Sequence, residues 1–139
     1  MISRVLVPMD ESEMADRALR YALTVHPNAT ITVVHVVGEP SSMMGGAAGI
    51  AVSSDPRAAA EEHATELFDH AREIAAEYET EIETRVTVGH PGRAVINMSD
   101  EFDTVVIGSH SGSLADRLLV GNIAEKIVRR SAAPVTVVR

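Results

Sequence analysis

The sequence predicts an α/β fold, a doubly wound parallel sheet of five strands with helices on both faces. Short apolar, β-branched runs alternate with amphipathic segments along the chain. No two of those runs are joined by a tight hairpin, so successive strands need right-handed crossovers that lay helices over the sheet. At 139 residues the chain can bury roughly two-thirds of its unfolded surface around one core, yet is short for two domains, so one domain over 1–139 is expected.

Arg4 to Pro8 is the first strand, a β-branched run suited to burial on both faces. Asp10-Glu11-Ser12-Glu13 starts a helix, either with Asp10 as cap and Glu13 closing a capping box or with Ser12 as cap. Met14, Ala15, Ala18, Leu19, Ala22 and Val25 form its apolar stripe, and His26-Pro27-Asn28 ends it. Ile31 to Val37 is the second strand. Residues 38–54, rich in Gly and Ser and without period, read as a flexible loop. Asp55-Pro56 opens the longest helix, with Ala60, Ala64, Leu67, Ala71, Ile74, Ala75 and Tyr78 inward. Ile82, Thr84, Val86 and Val88 alternate with Glu81, Glu83, Arg85 and Thr87, which marks an edge strand with one solvated face. After the Gly89-His90-Pro91-Gly92 turn, Ala94, Val95 and Met98 belong to a short third helix. Thr104 to Ile107 is a fourth strand running into Gly108. Asn122 with Glu125 caps a fourth helix that turns Ile123, Ile127 and Val128 inward, and Pro134 to Val138 is the fifth strand.

Composition narrows the function classes. Hydrophobic residues at 45% and charged residues at 23% exclude intrinsic disorder. A formal net charge of -8 opposes general affinity for nucleic-acid phosphates or anionic membranes, so neither is an expected partner. The absence of cysteine removes thiolate chemistry and disulfides and is compatible with a reducing cytoplasm, where the protein is expected. The apolar stretch at the N-terminus is shorter than a signal-peptide core, and no run approaches the roughly 20 apolar residues of a membrane span.

In a doubly wound sheet, ligands sit beyond the carboxyl ends of the strands where strand order reverses, which directs attention to the loops after strands one and four. The first presents Asp10, either as a carboxylate for a ribose or base or as a helix cap. The second, Gly108-Ser109-His110-Ser111-Gly112-Ser113, with Gly121-Asn122 at a helix start, suits an anion held by backbone N–H groups. His110 lies in this phosphate-suited segment and His90 at the same sheet edge; a metal or hydrolytic site there would need Asp10 or Asp116 as a third group. His35, inside an apolar strand, reads as a hydrogen-bonded core residue. Ser109 and Ser111 lack a nucleophile elbow, so no catalytic residue is assigned.

Taken together, Val7-Pro8-Met9-Asp10-Glu11-Ser12, His35-Val36, Gly89-His90-Pro91, Val106 to His110, Arg117 to Gly121, Ala124 to Ile127 and Ala133 to Val138 resemble the universal stress protein family over essentially the full chain. The resemblance implies strand order 3-2-1-4-5, a homodimer formed through the strand from Pro134 to Val138, and an adenine nucleotide site. Family members that bind ATP carry Gly-x2-Gly-x9-Gly-Ser/Thr. Gly108 and Gly121 match its first and last glycines, whereas Ser111 stands at the second with Gly112 one place later, and Asn122 replaces Ser/Thr. Pro8, Asp10, Val36 and Ile107 match the base and ribose side, and Met9, His110 and Ile123 complete the implied set. The expected function is a stress or regulatory protein binding ATP, ADP, AMP or cyclic AMP through a degenerate phosphate loop, with Mg2+ where the nucleotide is ATP and at most slow hydrolysis. The alternative is a dimeric protein-interaction module without nucleotide, acting on unknown protein partners.

Overall fold

The computed structural model describes residues 1–38, 56–110 and 121–139. Its elements are β1 (Arg4–Pro8), α1 (Glu13–Val25), β2 (Thr30–Val37), α2 (Pro56–Glu77), β3 (Glu83–Val88), α3 (Pro91–Met98), a 3₁₀ turn (Ser99–Glu101), β4 (Thr104–Gly108), α4 (Asn122–Arg130) and β5 (Val135–Val138). All strand pairs are parallel, in the order β3-β2-β1-β4-β5, as expected. Most of the 38–54 segment, together with Asp55, Ser111 and Gly112, lies outside the described residues.

Alternation along the strands builds two cores. Val5, Val7, Ile31, Val33 and Val106 pack under α1 and α2, while Leu6, Val34, Val105 and Ile107 pack under α3 and α4. Each central strand is therefore buried on both sides, which is why its sequence is continuously apolar. The exposed edges go to β3 and β5, whose residues are mostly half-buried.

Three expectations shift. In α1 the buried residue of the last turn is Leu23, packed in the cluster with Ala29 and Ile31, while Val25, where the helix ends, is 47% exposed. In α4, Ala124 and Ile127 face the core; Ile123 and Val128 stand roughly 70° to either side of the line between them and stay exposed. The α4 cap is Gly121 rather than Asn122, which is the first helical residue. Phe68 joins the buried stripe of α2.

The close of α2 is a Schellman turn on an unusual residue. Thr80 N–H donates to Ala75 O at 3.1 Å and Glu79 N–H to Ala76 O at 3.0 Å, with Glu79 at φ 53°. Glycine normally takes that place because a Cβ is disfavoured there.

The crevice arises where β1 and β4 part. Their ladder joins Val5 to Thr104 and Leu6 to Val105, and Pro8, two residues further on, has no N–H to extend it. On the other side β1 stays paired with β2 through Pro8 and Val34, and Met9 N–H continues to Val34 O at 2.8 Å.

Candidate functional site

A cavity of about 590 Å³ opens at this parting, at the carboxyl ends of β1, β2 and β4 and the amino ends of α3 and α4. That is a volume typical of small-molecule sites. Val34, Val36, Val95, Ile107, Ile123 and Ile127 give it apolar walls, and Asp10, Ser12, His35, His110 and Asn122 supply polar groups.

Asp10 is held by a local turn. Its Oδ1 accepts from Ser12 N–H at 2.8 Å, while Ser12 Oγ accepts from Ala15 N–H at 3.2 Å and caps α1. The sequence left Asp10 and Ser12 open as caps; Ser12 is the cap, so only one carboxylate oxygen of Asp10 is engaged by the backbone. Met9, just before it, is pinned twice, by its N–H to Val34 O and by its carbonyl, which accepts from His35 Nδ1 at 2.8 Å. A carbonyl only accepts, so the His35 proton sits on Nδ1.

Gly108 lets β4 approach the start of α1. A Cβ there would stand 3.0 Å from both the carbonyl oxygen and the Cβ of Met14. Beyond it the chain is stapled to α4 by Gly121 N–H donating to Ser109 O at 2.6 Å. As cap, Gly121 offers no side-chain acceptor to the first amides of α4, so the positive end of that helix is left for another acceptor.

His110 adjoins this helix end. It is 8% exposed and lines the cavity, yet among the described residues neither ring nitrogen has a hydrogen-bond partner. The Ser109 hydroxyl, 1% exposed, is likewise without one. His90 has a different duty: it caps α3, with Nδ1 accepting from Arg93 N–H at 3.3 Å, and it is absent from the cavity wall. Among the described residues, no three His, Asp or Glu side chains group to hold a metal ion; Asp116 lies outside them.

The structure brings together Pro8, Met9, Asp10, Val36, Ile107, Gly108, His110, Gly121, Asn122 and Ile123 around one cavity. Sequence reading missed His35, Ser12, Pro91 and Val95. For His35 a signal was available: the two-residue period sets it on the α1 side of β2, two places from the strand's end and near the β1–α1 connection.

Comparison with known proteins decides the family. The family model for the universal stress protein family matches residues 1–139. The chain belongs to that family. It is 26% identical to the universal stress protein YxiE of Bacillus subtilis over 148 residues, covering 100% of both chains. Among solved structures, the fold is similar to that of the universal stress protein UspA from Lactobacillus plantarum, with a TM-score of 0.79 and 22% identity over 99% of this chain and 98% of that one. It is also similar to a universal stress protein crystallised in complex with cAMP, with a TM-score of 0.70 and 24% identity over 99% and 97% of the two chains.

Proposed function

We propose that the cavity binds an adenine nucleotide and that the protein is a cytoplasmic regulatory member of its family, acting as a homodimer through β5. The observation that carries the reading is the convergence at the β1–β4 parting of a carboxylate, Asp10, with Gly108, Gly121 and the uncapped start of α4. The apolar wall fits a base, the unengaged Asp10 oxygen fits a ribose hydroxyl, and the helix start fits a phosphate. The cAMP held by a relative of the same fold supports the same ligand class. Mg2+, where ATP is bound, would be carried mainly by the phosphates. Asn122 keeps a backbone amide at the helix start and can still donate a side-chain amide N–H to an anion, but its longer carboxamide replaces the compact Ser/Thr hydroxyl at the triphosphate end, so the shorter nucleotides lose least.

Calorimetric titration of nucleotide-stripped protein with ATP, ADP, AMP and cyclic AMP tests this. Saturable binding near micromolar affinity, about -8 kcal/mol, is the expected result. A folded protein that gives no heat with any of the four would favour the interaction-module reading instead.

A further inference from the structure

A phosphate in the cavity needs partners for its negative charge. Among the described residues lining it there is no Lys or Arg; Asp10, from the β1–α1 connection, is the one carboxylate, and His35 of β2 and His110 after β4 are the two imidazoles. On α4, Glu125 is paired with Arg129 at 2.9 Å, and the Lys126 chain lies against Gly92 of α3, where His90 is the cap; none of these lines the cavity. On β5, Val138 brings no charge: its carbonyl accepts from Ser109 N–H and its side chain packs against the core. His35 has its Nδ1 committed to Met9 O. His110 differs, since both nitrogens are buried and without a partner among the described residues, and a buried polar group of that kind is one that a ligand can satisfy. Its position is fixed beside the start of α4: a Cβ on Gly121 would stand 3.4 Å from the His110 Cα and 3.7 Å from its Cβ.

We infer that the His110 imidazole is a proton-linked ligand of the nucleotide's phosphate, so that binding phosphate draws a proton onto the ring and affinity falls as the medium becomes alkaline. This rests on the adenine-nucleotide reading of the cavity. The helix start and the ring then act on the same oxygen atoms, one through backbone N–H groups and the other through a charge-assisted N–H. Unlike a lysine or arginine, a histidine makes that grip depend on pH in the range where cells vary.

Cyclic AMP and adenosine are the probes. Phosphomonoesters titrate near pH 6 themselves, whereas the diester of cyclic AMP keeps one charge throughout. Titrations at about pH 5.5 and about pH 8 span the imidazole's change of charge, and cyclic AMP is expected to bind about tenfold more weakly at the upper value, while adenosine binds alike at both. In buffers of different ionisation heat, the binding of cyclic AMP should be accompanied by uptake of a fraction of a proton by the protein near neutral pH. His110→Asn, folded by its thermal transition, should lose both the pH slope and the uptake. Cyclic AMP affinity that is flat with pH, or a slope that survives in His110→Asn, would overturn the assignment and leave the nucleotide site standing. Failure of cyclic AMP to bind while AMP binds would overturn the assignment, and failure of all four adenine nucleotides would overturn both readings. Should His110→Asn not fold, proton NMR of the wild-type ring decides: cyclic AMP raising the pH at which His110 titrates supports the assignment, and no change overturns it.

Discussion

Asp10 divides its two carboxylate oxygens between structure and ligand. Oδ1 is committed to Ser12 N–H, so Asp10→Asn keeps that turn through its amide oxygen and presents an NH2 where a ribose hydroxyl needs an acceptor. The variant should unfold within about 0.5 kcal/mol of wild type yet bind AMP at least about tenfold more weakly; calorimetry beside a urea titration separates the two effects, and unchanged affinity would remove the ribose contact. Asp103 works only for the fold. Its Oδ2 accepts from Ser3 N–H, Ser3 Oγ and Arg4 N–H at 2.9, 3.0 and 2.9 Å, and the two backbone donors, with the Ser3 hydroxyl, hold its carboxyl below the usual carboxylate range. The stabilisation is therefore fully present above the unfolded value, near 3.9, and is lost as pH falls through the lower folded value. Urea midpoints from about pH 7 down to about pH 3 should fall more steeply for wild type than for Asp103→Asn; parallel curves would contradict this. At this scale Asp10 was legible because the first acid after a buried strand stands at the sheet's ligand edge. His35 was not, because one histidine inside an apolar run looks the same whether it fills a core or clamps a loop.

Elements show the same division between signal and silence. The strands were legible to within a residue or two because burial on two faces leaves a continuous β-branched run and a solvated edge leaves alternation. Helix ends were harder. Gly121 caps α4 with no side chain to announce it, and Asn122 beside it carries the usual capping signature, so the cap was read one residue late. The turn closing α2 gave no warning either, since Glu79 is not a residue that marks positive φ. Glu79→Gly should relieve that strain and raise stability by about 1 kcal/mol, net of glycine's greater freedom in the unfolded chain. A lowered denaturant midpoint would mean the Glu79 side chain makes compensating contacts.

For the whole molecule, strand order sets both the site and the exposed edge. Parting β1 from β4 at the reversal opens the cavity, and closing the order on β5 leaves that strand paired on one side, with β4. Pro134 and Val138 turn their carbonyls to β4, accepting from Val105 and Ser109, so by the two-residue period Val135 and Val137 turn their backbone groups outward. Val137→Pro removes an outward N–H without touching the β4 ladder. If β5 joins two copies, sedimentation should show the wild-type dimer become a monomer that keeps its helical circular dichroism, whereas a persisting dimer would move the interface elsewhere. The amide shifts of nitrogen-15-labelled protein during AMP addition test the central claim most directly. The largest changes should fall on Met9, Asp10, Val36, Gly108, His110 and Gly121, around the β1–β4 parting. Changes concentrated instead beside Phe68 and Val86, at the groove between α2 and β3, or none at saturating AMP, would contradict it.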